Sequence, residues 1–307
     1  MSGTPAGVLV ALKLPGPTSH DVVARARRLL GLQRVGHGGT LDPPAAGVLP
    51  LLVGSAARLA RYLTLGDKEY RFTLAFGCET DTGDQLGRPV RTAPPPRREA
   101  LEAALPAFTG EIRQRPPAFS AVKVGGRRAY ELAREGRPAE VAERRVSVEA
   151  LTLLEWRPGP PVEALLSVRC SHGTYVRSLA ADLARAAGSA GHVSALLRTR
   201  TGPFTLAAAL TLDEAAAALR AGRPVLRPPL EVLYGRPRVD VSSNEAEDVA
   251  RGRWPRGLAA RLWAAGAGAV EAEPGDAAVV YEGRLLAVAG RREGRWRWTA
   301  VFPEALP

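Results

Sequence analysis

The segment GHGGTLDP, residues 36–43, is the most informative part of the sequence, and it is followed by the apolar run GVLPLLVG at 47–54. It places a single carboxylate, Asp42, in a glycine-rich turn. Glycine lets the backbone approach a ligand closely or adopt a positive φ, and Pro43 biases Asp42 toward an extended conformation. An ordinary turn aspartate would have much the same local sequence, so the role of Asp42 has to be argued from the rest of the chain.

The composition is that of a globular protein with a polyanionic partner. The 307 residues are 46% hydrophobic and 24% charged, and they suffice for a large domain with a small one. The formal net charge of +11 suits a nucleic acid, because lysine and arginine release counterions from phosphates. Of the 42 basic residues only Lys13, Lys68 and Lys123 are lysines. In an arginine-rich chain, a lysine indicates a site that needs a compact ammonium.

Several classes of protein are excluded by what the sequence does not contain. It has no run of about 18 apolar residues, so we expect no membrane span. Its first residues lack the basic start and apolar core of a signal peptide, and we expect a cytoplasmic protein. Cys78 and Cys170 lie far apart without CxxC spacing, which predicts neither a disulfide framework nor a zinc site.

The patterning predicts an α+β fold, because strands and helices are mixed irregularly without βαβ units. A basic excursion at 113–145 has the composition of a binding loop. A proline-rich break at 223–238 precedes a small β-rich module, so we expect domains at 1–235 and 236–307. The predicted strands are 7–12, 69–76, 146–156, 162–170, 277–281, 285–289 and 296–302, and the predicted helices are 19–30, 55–63, 98–108, 129–135, 174–187 (capped by Thr174) and 213–221.

Five segments together carry a resemblance to a known family. In chain order they are KLPGPTS at 13–19, GHGGTLDP at 36–43, KEY at 68–70 with GCETDTGDQLG at 77–87, QRPPAFSAVK at 114–123, and SHGTYVRSL at 171–179 followed by His192, Val193 and Leu196. They resemble the motifs of the bacterial TruB-type tRNA pseudouridine synthases, which modify the uridine at tRNA position 55. The sequence departs from the family pattern at three positions. Leu14 and Gly38 affect the rigidity of loops, and Leu197 removes a possible phosphate contact.

The resemblance implies a fold and a reaction. It implies a mixed pseudouridine synthase sheet with flanking helices and loops, an RNA-gripping excursion at 113–145, and a PUA-like RNA-binding module at 236–307. It implies an isomerase that breaks the N-glycosidic bond, rotates the uracil and rejoins it through C5. Nothing is oxidised and no group leaves, so the reaction needs neither cofactor nor metal.

The resemblance also assigns roles to residues. Asp42 is the nucleophile, a role that carboxylates fill elsewhere. Arg177 is its partner, and we expect a two-point fork that keeps the carboxylate ionised. Tyr70 stacks on the target base, because a base that leaves its helix needs an aromatic wall. His37, Lys68, Tyr175, Leu196 and Lys123 are predicted to bind substrate, whereas Asp81 and Asp84 are predicted to organise their loop.

Two other functions remain open at this point. One is a guide-RNA-dependent synthase subunit of a ribonucleoprotein, against which the compact C-terminal module and the lack of long basic tails argue. The other is a non-catalytic tRNA-binding or tRNA-folding protein, against which the presence of Asp42, Tyr70 and Arg177 argues. We expect a monomer that acts on the T-arm of tRNA and requires no protein partner.

Overall fold

The structure, a computed structural model, describes residues 5–137, 139–266, 275–292 and 294–306. The strands, in chain order, are β1 (Gly7–Lys13), β2 (Val35–His37), β3 (Ala46–Val53), β4 (Lys68–Phe76), β5 (Cys78–Thr80), β6 (Pro89–Thr92), β7 (Gly110–Gln114), β8 (Lys123–Val124), β9 (Arg127–Arg128), β10 (Arg144–Arg157), β11 (Glu163–Cys170), β12 (Gly191–Thr201), β13 (Phe204–Thr205), β14 (Arg238–Asp240), β15 (Ala277–Tyr281), β16 (Arg284–Arg292) and β17 (Arg295–Val301). The α-helices are α1 (Ser19–Leu30), α2 (Ala60–Leu65), α3 (Arg98–Ala104), α4 (Ala129–Arg134), α5 (Val176–Ala186), α6 (Leu212–Arg220), α7 (Ser243–Ala250) and α8 (Leu258–Gly266).

A nine-stranded mixed sheet organises the larger part of the chain and confirms the α+β class. Its strand order is β1-β3-β12-β4-β11-β10-β7, with β2 paired to β3 and β13 paired to β12. The β12–β3 pair is parallel and the other pairs are antiparallel. The strand β3 is the apolar run of the opening motif, and it is buried along almost its whole length. The parallel pair therefore places β12 beside the strand that follows the Asp42 turn.

Local signals explain where the first helix begins and ends. Thr18 and Asp21 form a capping box at the start of α1, which satisfies backbone N–H groups that have no partner within the helix. Gly31 ends the helix with φ of 65°, in the left-handed conformation that glycine adopts readily. The prediction of a helix over 19–30 is confirmed.

One sequence-based prediction was wrong in this domain, and one central strand was missed. The predicted cap of α5 at Thr174 is absent, because the Thr174 hydroxyl donates to the Ser171 carbonyl and Tyr175 is the residue that precedes the helix. The central strand β12 was not predicted at all. Its segment GHVSALLRTRT contains polar and basic residues that do not alternate regularly, which conceals a strand with neighbours on both sides.

The C-terminal part forms a second sheet with strand order β14-β15-β16-β17. Helices α7 and α8, which were not predicted, pack on this sheet in one hydrophobic cluster. A separate cluster joins the two sheets, since it contains Val10 and Leu52 together with Val280 and Phe302. The proline-rich break at 223–238 contributes Val232 and Leu233 to that cluster, so this part of it is packed between the two sheets. The boundary at 235/236 stays a prediction.

Within the described ranges, no helix is both long enough and apolar enough to cross a membrane.

Candidate active site

A cleft beside the nine-stranded sheet collects residues from four distant segments. Asp42 comes from the turn between β2 and β3, Asp84 from the loop after β5, Arg177 from the first turn of α5, and Leu196 from β12. The remaining lining residues are Pro44, Ala45, Gln85, Val193, Ser194 and Ala195. The sequence-based hypothesis that Asp42, Arg177 and Leu196 share a site therefore has a geometric basis.

The guanidinium of Arg177 is buried behind the Asp42 carboxylate. The Arg177 side chain is 6% exposed and that of Asp42 is 36% exposed, and Nε lies 2.8 Å from Oδ2 of Asp42. The N–H direction does not satisfy hydrogen-bond geometry, so this contact is an ion pair. The terminal nitrogens donate to the carbonyls of Thr82 and Phe119, at 2.6 and 2.9 Å. The expected two-point fork is thus absent, because both ends of the fork are occupied by backbone oxygens.

Asp84 organises its loop and also belongs to the cleft. Its Oδ1 accepts hydrogen bonds from the Thr82 hydroxyl at 2.8 Å and from the Leu86 amide at 3.0 Å, as predicted for a loop organiser. Its Oδ2 lies 4.0 Å from Nε of Arg177. The sequence-based interpretation missed this second position, since the motif alone does not show which direction each oxygen faces. The guanidinium therefore stands between two carboxylates.

Lys13 holds the Asp42 turn from one side. Its side chain is buried, with the residue 1% exposed, and Nζ donates to the carbonyls of Pro43 at 3.0 Å and Ala45 at 2.6 Å. A third bond goes to the carbonyl of Leu14. Burial lowers the pKa of Lys13 to about 8, and the nearby Asp42 carboxylate opposes this shift. A compact ammonium with three donors suits three carbonyls that converge from different directions.

Arg198 holds the same turn from the opposite end. It is 1% exposed and lies in the central strand β12. Its Nε donates to Val48 O at 2.9 Å, Nη1 to Thr40 O at 3.1 Å and Nη2 to Gly39 O at 3.0 Å. The sequence-based hypothesis considered the neighbouring Leu197 and overlooked Arg198. The signal that could have found it was the position of an arginine two residues after Leu196.

Tyr70 and His37 lie close to this turn. Tyr70 is half-buried in β4, where it contacts two hydrophobic clusters and pairs across the strands with Arg198. Burial raises the pKa of Tyr70, and the Asp42 charge contributes in the same direction. Burial lowers the pKa of His37, whose Nδ1 accepts a hydrogen bond from the Gly39 amide at 3.3 Å. Their stacking and substrate roles stay predictions.

Gly38 is closely packed, contrary to the expectation that a glycine here loosens the turn. A Cβ added at Gly38 would lie 2.7 Å from both Cβ and Cδ1 of Leu63, a residue of α2. The Gly38 amide also donates to the carbonyl of Pro50 at 2.9 Å. The absence of a side chain at this position therefore lets α2 approach the turn.

The remaining predicted substrate residues are placed in different surroundings. Lys68 is buried and donates to the carbonyls of Thr64 and Gly66 at the end of α2, and burial lowers the pKa of Lys68 to about 8. Tyr175 lies 5.0 Å, ring centre to guanidinium carbon, from Arg144. Lys123 is exposed in β8. None of these three lines the cleft in the described part of the chain, and their contact with substrate stays a prediction.

The basic excursion is docked on the start of α5. Gln114 and Tyr175 exchange two hydrogen bonds, from the Tyr175 amide at 2.8 Å and to the Tyr175 carbonyl at 3.0 Å. The Ser178 hydroxyl donates to the carbonyl of Arg115 at 2.8 Å. Together with the Arg177–Phe119 bond, these contacts connect the excursion directly to the cleft. Across the residues described, no group of three or more His, Cys, Asp or Glu side chains is arranged to hold a metal ion.

Two family descriptions match consecutive parts of the chain. "TruB family pseudouridylate synthase (N terminal domain)" matches residues 27–176, and "tRNA pseudouridylate synthase B C-terminal domain" matches residues 177–228. A tRNA pseudouridine synthase B from Symbiobacterium thermophilum is 51% identical over 251 residues, covering 81% of this chain and 83% of that protein. A protein with the same name from Moorella thermoacetica is 47% identical over 250 residues, covering 80% and 82%.

Solved structures share the fold at lower identity. The crystal structure of a Cbf5-Nop10-Gar1 complex matches with a TM-score of 0.68 and 27% identity, over 92% of this chain and 78% of that chain. An H/ACA RNP bound to a substrate RNA containing 2'-deoxyuridine matches with a TM-score of 0.68 and 25% identity, over 92% and 77%.

Proposed function

Because the chain belongs to the TruB family of pseudouridylate synthases, we propose that it converts the T-arm uridine at position 55 of tRNA to pseudouridine, with Asp42 as the nucleophile. The observation that carries this proposal is the Arg177–Asp42 ion pair, with the carboxylate facing the cleft and the guanidinium buried behind it. A carboxylate that is paired with a buried cation and remains accessible is suited to attack a substrate.

The reaction changes the uracil atom that is attached to the sugar from N1 to C5. The bond from N1 to the sugar breaks, a bond from C5 to the sugar forms, and the proton lost from C5 is balanced by one gained at N1. Substrate and product are therefore isomers. In this scheme Asp42 stabilises the separated fragments by bonding to one of them, that bond breaks again when C5 joins the sugar, and the Arg177 guanidinium holds the carboxylate in place.

A uridine within a folded T-arm has to leave its stack before Asp42 can reach it. Tyr70 and Leu196 supply an aromatic and an apolar surface on neighbouring strands, and such surfaces accept the face of a flipped base. Burial raises the pKa of Tyr70, so its hydroxyl is neutral at neutral pH and the ring serves as a wall. Arginines of the excursion, among them Arg113 and Arg134, are exposed and available to phosphates.

The relatives favour a tRNA pseudouridine synthase over a subunit of a guide-RNA ribonucleoprotein. The proteins named tRNA pseudouridine synthase B are 51% and 47% identical to this chain, whereas the ribonucleoprotein component is 25% identical. A catalytic protein is favoured over a binding protein because the ion pair and its supporting cations Lys13 and Arg198 are all present.

An assay with an unmodified tRNA transcript tests the proposal. The purified protein is incubated with the transcript, and pseudouridine is mapped at each position. We expect a product at the T-arm uridine with wild type, and no product with Asp42→Asn, which retains tRNA binding. Asp213→Asn is the matched control, since this carboxylate is 91% exposed and pairs with Arg25 away from the cleft.

The possible outcomes separate the candidate functions. Wild-type protein that binds tRNA but forms no product would support the non-catalytic function. Product that appears only when a guide RNA is added would support the ribonucleoprotein subunit. Asp42→Asn protein with the wild-type rate would remove Asp42 from the nucleophile role while leaving the reaction class intact.

A further inference from the structure

A buried polar pair lies within the apolar interface between the two sheets. The Tyr62 hydroxyl of α2 donates to Oδ2 of Asp276, just before β15, at 2.5 Å. Tyr62 is 7% exposed and Asp276 is 6% exposed. Tyr62 belongs to the same hydrophobic cluster as Ala278 and Val280 of β15. The pair therefore connects the larger domain with the C-terminal sheet at a point that is largely shielded from water.

Positive charges complete this contact. Nη2 of Arg61 lies 3.3 Å from Oδ2 of Asp276. The guanidinium groups of Arg61 and Arg236 lie over the Tyr62 ring, at 5.1 and 4.9 Å from its centre. A buried carboxylate is costly without a partner, and these groups offset that cost only in the observed arrangement. Apolar contacts are non-directional, so the polar pair is what defines how the C-terminal sheet is seated on α2.

A glycine in the C-terminal sheet leaves space for the Asp276 carboxylate. A Cβ added at Gly290 of β16 would lie 2.7 Å from Oδ1 of Asp276 and 2.4 Å from the hydroxyl oxygen of Thr299. A side chain at this position would displace Asp276 from Tyr62. Glycine at position 290 therefore leaves room for the Asp276 carboxylate, which a residue with a Cβ would not.

The helix that carries Tyr62 also touches the catalytic turn. Leu63, the next residue of α2, packs against Gly38 so closely that no Cβ fits between them. The carbonyls at the end of α2 are held by Lys68, which begins the strand of Tyr70. A shift of α2 would thus be transmitted to the Asp42 turn on one side and to β4 on the other, because closely packed interiors transmit small displacements.

We propose that Tyr62 and Asp276 are positioning residues for catalysis: their contact seats the C-terminal sheet against α2, and α2 holds the Asp42 turn in place through Leu63 and Gly38. The C-terminal sheet then contributes to the rate of the chemical step as well as to any RNA contact that it makes. The inference rests on the proposed function, because its main measurement is pseudouridine formation.

Tyr62→Phe tests the inference, since it removes the hydroxyl and keeps the ring. The rate of product formation is measured in a single turnover at saturating tRNA, and the Kd for tRNA is measured separately by filter binding. We expect the rate to fall about five- to tenfold with Kd changed less than about twofold, as a misplaced reacting group lowers the rate without weakening binding. A weaker Kd with an unchanged rate at saturation would overturn the inference.

A double-mutant cycle and a matched control separate positioning from general destabilisation. Asp276→Asn should lower the rate, and Tyr62→Phe combined with Asp276→Asn should lower it no further than the more severe single variant. Arg58→Gln is the control: it removes the bond from Arg58 Nη1 to Val301 O, 2.7 Å long, which crosses the same interface outside α2. An equal loss of rate in Arg58→Gln would contradict the specific role of the pair.

Hydrogen exchange supplies a measurement that does not depend on activity. The amides of residues 38–42 should exchange faster in Tyr62→Phe than in wild type and should be unchanged in Arg58→Gln. Wild-type protein that makes no pseudouridine would contradict the proposed function. The exchange difference would still support the coupling between the Tyr62–Asp276 contact and the Asp42 turn. Equal exchange in wild type and Tyr62→Phe would overturn the coupling whatever the activity.

Discussion

Nε of Arg177 lies 2.8 Å from Oδ2 of Asp42, while the other two nitrogens of the same guanidinium donate to the carbonyls of Thr82 and Phe119. One side chain thereby joins α5, the Asp42 turn, the loop after β5 and the basic excursion. The charge partner of the candidate nucleophile is therefore also one of the residues that hold the excursion in position.

Arg177→Lys should be inactive or nearly so. Lysine retains the charge but has no planar group that reaches Asp42, Thr82 and Phe119 at once. We expect a loss of about 100-fold or more in the single-turnover rate, as for removal of one preorganised group at a reacting centre. Arg185→Lys is the control on the same helix, because Arg185 pairs with Glu79 outside the cleft. A single-turnover rate of Arg177→Lys within about threefold of wild type would contradict the positioning role of the Arg177 guanidinium.

The lowered pKa of Lys13 predicts how the free energy of unfolding depends on pH. Burial lowers the pKa of Lys13 to about 8 from 10.5, so the folded protein binds fewer protons than the unfolded chain between these values. The free energy of unfolding therefore gains up to about 1.4 kcal/mol per pH unit from this residue as pH rises through the window. This contribution is complete above 10.5 and is lost as pH falls through about 8.

Urea unfolding between pH 8 and about 9.5 measures this slope. Burial also lowers the pKa of Lys68 to about 8 and raises the pKa of Cys170 to about 11, and these two groups act in opposite directions, so Lys13→Met should reduce the slope by up to about 1.4 kcal/mol per pH unit relative to wild type. Higher pH is avoided because burial raises the pKa values of Tyr62 and Tyr70, which act in the opposite direction once tyrosines ionise in the unfolded chain. Equal slopes in both proteins would show that Lys13 has an ordinary pKa in the folded state.

Arg198→Lys should destabilise the folded protein. The three carbonyls bound by Arg198 lie on two segments, and one ammonium cannot replace a rigid fork with three separate donor positions. We expect a loss of about 2–4 kcal/mol in the free energy of unfolding, from buried carbonyls left without donors. Arg71→Lys, at an exposed position in the adjacent strand, should change it by less than about 0.5 kcal/mol. Similar losses in the two variants would contradict the prediction.

Gly47→Ala should be among the most damaging small substitutions. Gly47 has φ of 123°, and an added Cβ would lie 2.2 Å from the carbonyl oxygen of Arg198 in the paired strand. Gly110→Ala is the control, since Gly110 has φ of 91° but open space around it. We expect a loss of about 1–2 kcal/mol in the free energy of unfolding for Gly110→Ala and at least 2 kcal/mol more for Gly47→Ala, with unfolding in urea as the measurement.

Features of this protein that depend on local chemistry can be predicted from its amino-acid sequence. The capping box at Thr18, the end of α1 at Gly31 and the buried run of β3 follow from hydrogen bonding, backbone freedom and hydrophobicity within a few residues. The motifs around Asp42, Tyr70 and Arg177 can also be recognised in the sequence, since each is a continuous string of residues.

The contacts between distant segments, in contrast, depend on how the strands and helices pack. The parallel pairing of β12 with β3 buries Arg198 beside Gly47, and the packing of α2 explains why Gly38 has no side chain. The partners of Lys13 and Arg198 are backbone carbonyls, which every residue possesses and which therefore leave no signature in the sequence. The residue type of such a cation therefore does not show that it is buried, because its hydrogen-bond acceptors are supplied by the fold.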